Sequence, residues 1–382
     1  MKKFVSVFLT MVLAIGCLAG CGNSNAGGDV FKIGATGPLT GPAAAYGDAV
    51  NKGAQIAVEE INAAGGINGV KIEFRMEDDE HDAEKAVNAY NILKDWDMQI
   101  FMGTVTSAPC IAVEAEAAND NIFLITPSGT AVDCISGDNA FRLCFSDPAQ
   151  GTKSAEYIGT NKLATKVAII YDSSDPYSSG ICESFKAEAA NQGIEVVASE
   201  AFTADSNKDF KVQLQKAKDS GAELLFLPIY YTEASLILQQ ADDMGFAPKI
   251  FGCDGLDGIL GVENFDVKLA EGVMLLTPFA ADAQDEATVS FVTKYAEKYN
   301  GEVPIQFAAD AYDAIYAIKA AAEKSGAKST MSASDICEAL KGAMTQITLK
   351  GLTGEITWDA SGEPNKEPKA VVIENGAYKS MQ

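Results

Sequence analysis

The sequence predicts an α/β protein made of two units, each a mostly parallel sheet with helices on both faces. Three observations carry that expectation. From Val30 onward, short runs rich in β-branched and aromatic residues alternate with amphipathic helical stretches. The alternation breaks at Ser146-Asp147-Pro148-Ala149-Gln150-Gly151 and then restarts. At 382 residues, 47% hydrophobic and 21% charged, the chain is long and apolar enough for two cores of about 150 residues each.

The elements follow in order. Residues 31–35 read as the first strand. The helix after it ends near Asn62, where Gly65 and Gly66 stop it and Asn68-Gly69 turns the chain into a strand at 71–75. Ala83, Ala86, Val87, Tyr90 and Leu93 fall on one face of the next helix. Strands at 100–102 and 122–126 flank a helix at 112–119. Past the break, strands are expected at 167–171, 194–199, 223–228 and 249–253, with helices between them. Repeats of this kind favour parallel sheets, since a parallel crossover needs a connection of helix length. Segment 275–279 reads as a second crossing between the units. It is followed by mainly helical chain at 285–300 and 306–324, and strands return at 355–358 and 370–374.

The first residues have a different character. Lys2 and Lys3 precede an apolar run at 4–15, which is too short to span a bilayer comfortably and ends in small residues. Leu18-Ala19-Gly20-Cys21 resembles the bacterial lipoprotein signal, which implies that residues 1–20 are removed and that the Cys21 thiol is diacylated. An ordinary signal peptide with an incidental cysteine is the alternative. Residues 21–29, small and polar after Cys21, would form a flexible tether. The mature protein is then extracytoplasmic, held to the bacterial cell membrane by lipid and without a spanning helix.

Charge narrows the function classes. With 29 Lys+Arg against 53 Asp+Glu, the net charge of −24 argues against a nucleic-acid partner and against electrostatic docking on an anionic membrane. One histidine leaves little for His-based catalysis or metal binding. That residue, His81, lies in the acidic segment 77–82, read here as a solvated loop rather than a metal cluster. Cys110, Cys134, Cys144, Cys182, Cys253 and Cys337 have no metal-like spacing; most are expected to be core or free thiols.

Open α/β sheets bind ligands beyond the carboxyl ends of their strands, so the loops there are the candidates. Segment 34–48 is rich in glycine and proline, but its spacing matches no phosphate-binding fingerprint. Ser107 would stand at a helix N-terminus, where capping alone would explain it. Ser128, Gly129 and Thr130 follow the strand at 122–126, and small hydroxyl residues at two strand ends make a good anion-binding surface. In the second unit Tyr177, Tyr230 and Tyr231 follow strands and would wall a cleft, or would simply edge the core. Asp254 follows the strand at 249–253. It is either a turn aspartate or a carboxylate facing the hydroxyl donors, a pairing that suits a zwitterion.

GPLTGPAAAYGDA at 37–49, GTVTSAPC at 103–110, ITPSGT at 125–130, FRLCFSDPAQG at 141–151, IIYDSSDPYSSG at 169–180, IYYTEA at 229–234 and AYDA at 311–314 occur in the order of a known family. Together they resemble the branched-chain amino-acid binding proteins, extracytoplasmic receptors of ABC importers with the type I periplasmic-binding-protein fold. The resemblance runs from about Phe31 to about Ile373. It implies two Rossmann-like lobes joined by a three-strand hinge near Asp147, Phe279 and 365–368. The first lobe would be 30–146 plus 279–367 and the second 147–278 plus 368–382. It also implies a non-enzymatic, monomeric clamp that needs no cofactor, closes on one Leu, Ile or Val, and delivers it to a permease with ATPase subunits. Ser107 and Thr130 would grip the ligand carboxylate, Ser128 and Gly129 would complete that grip through backbone groups, and Asp254 would take the α-ammonium. Tyr46, Tyr177, Tyr230 and Phe307 would line the side-chain pocket.

Two other classes remain open at this level. A sensor of the same fold would bind an amide, urea or an aromatic amino acid for signalling. An extracellular hydrolase is the more distant alternative, since the sequence has no Gly-x-Ser-x-Gly elbow and no zinc motif.

Overall fold

The computed structural model describes residues 30–381. The expected leader, the Cys21 anchor and the tether at 21–29 lie outside the described residues. The chain begins with β1 (Val30–Gly37), α1 (Ala44–Ala63), β2 (Lys71–Asp78), α2 (Ala83–Asp95), β3 (Ile100–Met102), α3 (Ser107–Asp120), β4 (Leu124–Thr126) and β5 (Ala140–Arg142). Their strands form one all-parallel sheet in the order β2-β1-β3-β4-β5. The winding reverses between β1 and β3, so the loops that follow these two strands diverge and leave a crevice at their carboxyl ends.

After a short crossing come α4 (Asp147–Thr160), β6 (Lys166–Asp172), α5 (Pro176–Ala189), β7 (Glu195–Phe202), α6 (Lys211–Asp219), β8 (Leu224–Leu227), α7 (Tyr231–Asp243), β9 (Lys249–Gly252) and β10 (Met274–Thr277). The chain then returns to the first unit with α8 (Glu286–Lys298), α9 (Gln306–Ser325), α10 (Ala333–Met344) and the hairpin of β11 (Leu349–Gly351) and β12 (Gly354–Ile356). Finally β13 (Lys369–Glu374) and β14 (Ala377–Ser380) join the second sheet, whose order is β14-β13-β10-β9-β8-β6-β7. Only the pairings of β13 with β10 and with β14 are antiparallel. Here the winding reverses between β6 and β8, which places a second crevice opposite the first.

Local chemistry explains the boundaries. β3 and β8 are buried at every residue, as strands covered by helices on both faces must be. The Asp82 side chain caps α2 by accepting from the Lys85 N–H, and Glu84 and Lys94 sit at the ends that suit the helix dipole. Asp175 caps α5 through the Tyr177 N–H, with Pro176 in the first helical position. Of the face expected on α2, Ala86, Tyr90 and Leu93 are buried and Val87 is half-buried. α1 and α9 pass so closely that a Cβ on Gly53 would lie 2.0 Å from the Ala308 carbonyl oxygen.

Some elements differ from the sequence reading. β5 was not anticipated: it is three residues long, and one of them is an arginine. Segment 275–279, read as a crossing, belongs for the most part to the buried strand β10, and the crossing follows it. α10 and the hairpin β11–β12 lie where no element or a single strand was expected. All six cysteines of the described residues are buried and free. Among these residues no helix is long and apolar enough to cross a membrane.

Three segments connect the two units, and a buried ion pair ties two of them to α9. Lys366, in the last segment, donates to the Leu143 carbonyl in the first (2.9 Å) and to Asp310 of α9 (3.0 Å). Burial pushes the Asp310 carboxyl up to about 6, against the pull of the Lys366 charge.

Candidate functional site

The loops at the carboxyl ends of both sheets meet face to face. Tyr46, in the first turn of α1, donates to the Gly255 carbonyl at 2.5 Å and accepts from the Tyr231 N–H at 3.3 Å. The Tyr231 hydroxyl accepts from Ala45 N–H, and Thr232 donates to the Pro42 carbonyl at 2.7 Å. Between these contacts lies a pocket of about 210 Å³, its open mouth included, lined by Tyr46, Val105, Thr106, Ser107, Ser128, Tyr177, Tyr230, Asp254, Gly255 and Phe307. Six of the sequence candidates with side chains in play, and Ser128 besides, are therefore brought to one place.

The first unit contributes hydrogen-bond donors. Ser107 is the first helical residue of α3, not its cap; Thr106 holds the cap position without a capping bond from its side chain. The Ser107 N–H thus has no helical acceptor, and its hydroxyl accepts from the Ala131 N–H (3.2 Å), which leaves its own proton to donate. The Ser128 hydroxyl is already committed, donating to the Val105 carbonyl at 2.7 Å.

Gly129 and Thr130 stand outside the pocket lining. Gly129 uses both backbone groups within the protein: its N–H donates to Thr126 Oγ1 (2.7 Å) and its carbonyl accepts from Arg142 (3.3 Å). The Thr130 hydroxyl is buried without a partner. It adjoins Asp147, the first residue of α4, whose two carboxylate oxygens are likewise buried and unpartnered. Burial holds the Asp147 carboxyl well above the usual range, and Asp254 adds to the rise.

From the second unit comes the acid. Asp254, two residues past the end of β9, is buried. Tyr177 donates to its Oδ1 at 2.7 Å, its N–H donates to Gln150 (3.1 Å), and its carbonyl accepts from Gln306 (2.9 Å). The Tyr177 hydroxyl in turn accepts from the Gly255 N–H at 2.9 Å. Only glycine permits this approach, since a Cβ at 255 would lie 2.6 Å from that hydroxyl. Burial pushes the Asp254 carboxyl up to about 7, although the Tyr177 and Gln150 hydrogen bonds favour its charged form. Its nearest charged neighbours in the cleft are acids, and a cationic group brought beside it would relieve that cost.

Aromatic rings form the walls. Tyr46 stacks on Phe307 with centroids 4.2 Å apart, and Tyr177 stacks on Tyr230 at 4.8 Å. Tyr46 also meets Tyr230 edge-on at 5.6 Å, so rings from both units close one surface.

The acidic segment 77–82 is a solvated loop only in part: Glu80 and Asp82 are exposed, but Glu77 and Asp78 end β2 and Asp79 is buried. Asp78 accepts from the N–H groups of Leu39, Thr40 and Glu80 and from the Thr40 hydroxyl, pinning the loop between β1 and α1. Asp79 is fully buried, and its carboxylate accepts from the His81 N–H at 2.9 Å. Loop backbones offer unpaired donors, and these acids answer them.

Sequence reasoning missed Arg142, Asp147, Gln150 and Gln306. Arg142 is fully buried and donates to four consecutive carbonyls, those of Gly129, Thr130, Ala131 and Val132, while its Nε lies 3.3 Å from Glu363. It shapes the loop after β4 from beneath. The available signal was that Arg142 is one of only two arginines and lies in an apolar run. Gln306 reaches from α9 to the Asp254 carbonyl and, through its N–H, to Asp257 (2.8 Å).

The match to known proteins covers the same span as this architecture. A family model described as periplasmic binding protein matches residues 30–373. The Leu/Ile/Val-binding protein homolog 3 of Brucella melitensis is 31% identical over 360 residues, spanning 92% of this chain and 95% of that protein. The leucine-, isoleucine-, valine-, threonine- and alanine-binding protein of Pseudomonas aeruginosa is 28% identical, with 93% and 92% covered. Among solved structures, the branched-chain amino acid transporter substrate-binding protein LivJ of Streptococcus pneumoniae, in complex with isoleucine, is similar with a TM-score of 0.83. It is 31% identical, with 92% of this chain and 98% of that one covered.

Proposed function

The chain belongs to the periplasmic binding protein family, and from that premise we propose that it is the receptor of an ABC importer that closes on one branched-chain amino acid. Family membership itself establishes a solute-binding role without catalysis, on the type I periplasmic-binding-protein fold. The observation that carries the finer reading is the division of the pocket: free hydroxyl and amide donors at Ser107 on one side, the enclosed carboxylate of Asp254 on the other. A zwitterion satisfies both, and neither unit supplies both alone.

In this reading the Ser107 hydroxyl and N–H hold the ligand carboxylate and Ser128 lines the same side, while Gly129 and Thr130, outside the lining, shape the loop that carries them. Asp254 takes the ammonium, and Tyr46, Tyr177, Tyr230 and Phe307 enclose an aliphatic side chain. The lobes are 30–146 with 279–367 and 147–278 with 368–382, turning about the three connecting segments as the ligand binds. Cys21 carries the lipid anchor, and the monomeric receptor presents its cargo to the permease and its ATPase subunits. The names of the Brucella and Pseudomonas relatives, and the isoleucine in the Streptococcus structure, support leucine, isoleucine or valine as that cargo.

A thermal-shift panel of amino acids, short amides, urea, nucleosides and sugars tests the proposal. A ligand at about a thousand times its Kd adds about 4 kcal/mol, enough to raise Tm by several degrees. A response to leucine, isoleucine or valine is expected. Silence from every amino acid with a response to an amide or urea would keep the clamp and discard the zwitterion site.

Acid should weaken binding. The ammonium is held by ionised Asp254, whose carboxyl in the closed cleft stands at about 7. Lowering the pH below the carboxyl's value in the ligand-free protein protonates the acceptor and reduces affinity by up to about tenfold per pH unit. Calorimetric titrations from about pH 8 down to about pH 4, the ordinary carboxylate range, measure the slope. A profile flat across that whole range would remove Asp254 from the site.

A further inference from the structure

His81 lies against both sides of the cleft. Its Nδ1 is 2.8 Å from Oγ1 of Thr106, a pocket-lining residue at the N-terminus of α3. Its ring meets Tyr230 of the second unit edge-on, with centroids 5.4 Å apart and planes at 88°. Tyr230 stacks on Tyr177, which donates to Asp254, so contacts run unbroken from His81 to the ligand's acidic partner. The residue is fixed in a left-handed conformation, φ 62°, by the bond from its N–H to Asp79.

We propose that His81, the only histidine of the chain, is a positioning residue that fits the closed cleft as neutral imidazole, so that its protonation opposes closure and favours release of the amino acid. The inference rests on the clamp reading above. Neutral imidazole satisfies Thr106 and lies against Tyr230 without needing water. Imidazolium would stand half-buried beside the N-terminus of a 14-residue helix, the positive end of its dipole.

Asp82 and Asp79 lie on the ring's own loop, Asp172 ends β6 across the cleft, and Asp175 and Glu233 stand behind Tyr230. Asp172 and Asp82 favour the charged ring. Burial is the larger influence and lowers the His81 pKa from its ordinary value. When the lobes part, Tyr230 leaves and water reaches the ring, which returns toward about 6.5.

A lone histidine makes the test direct, because untagged protein gives one imidazole Cε1–H resonance by NMR. That signal is titrated with and without saturating L-leucine. The midpoint is expected to be lower with leucine, and linkage then requires leucine affinity to weaken by the same factor in acid. His81→Gln, which keeps a polar partner for Thr106, should remove about threefold or more of the weakening between about pH 8 and about pH 5, leaving the share due to Asp254, Asp79 and Asp175, which burial holds at about 7 in the closed cleft. Equal midpoints in the two states, or an undiminished slope in His81→Gln, would overturn the proposal. Absence of any leucine-induced rise in Tm at about pH 8 would overturn the branched-chain clamp reading and this inference together, whereas a rise with equal midpoints overturns this inference alone.

Discussion

Asp254→Asn is expected to weaken amino-acid binding by about 30-fold to several-thousand-fold, the equivalent of about 2–5 kcal/mol. Asparagine keeps the volume and can still accept from Tyr177, so the loss isolates the charge that faces the ammonium. The same substitution should make the ligand-free protein more stable at neutral pH. The folded-state carboxyl, at about 7, stands above its unfolded value. Asp254 therefore opposes folding increasingly as pH rises from the unfolded value toward about 7, and the amide does not. Calorimetry gives the first change and urea unfolding without ligand gives the second. Affinity within about threefold of the parent would show that the ammonium is held elsewhere, with Asp147 the next carboxylate to test.

Arg142→Leu should cost about 3–5 kcal/mol of stability. The guanidinium is buried beneath the loop after β4, and its removal takes a charged donor from four carbonyls, leaves that of Val132 with none, and strips Glu363 of its ion-pair partner. Leucine fills part of the volume but satisfies none of them. The loop carries Ser128 and Thr130, so affinity for the ligand should fall with stability. Arg142→Lys separates charge from geometry, because an ammonium offers three donors from one point and cannot span four carbonyls. Urea midpoints at constant slope measure the loss. A change under about 1 kcal/mol for the leucine variant would mean that the loop is held from above.

Pattern and punctuation made the alternating strands and helices legible, because buried strands such as β3 and β8 are apolar at every position and Gly65-Gly66 marks where the first helix stops. β5 stayed hidden because three residues carry no periodicity, and Arg142 disguised them as surface. The pocket residues were legible as loops at strand ends, helped by resemblance. What no linear reading supplies is a partner distant in sequence. Gln306 matters through Asp254 and Asp257, Asp147 through Thr130, and His81 through Tyr230, pairs that only the folded chain brings together. The acidic segment 77–82 was misread in part for the same reason, since its acceptors serve backbone donors in a loop forty residues earlier in the sequence, from Leu39 and Thr40.

The close passage of α1 against α9 at Gly53 and Ala308 sets the order in which the protein can mature. A chain that emerges amino end first presents the apolar side of α1 long before its lid exists. The stretch from α4 through β10, by contrast, is contiguous and carries five neighbouring strands of its own sheet. The half synthesised second is therefore able to consolidate first, while the half synthesised first waits, with Tyr46, Val50, Ala54 and Ile61 uncovered, for a helix that arrives near the end of translation. During export that delay keeps the leading half unfolded and threadable, and it makes this half the segment most in need of a chaperone.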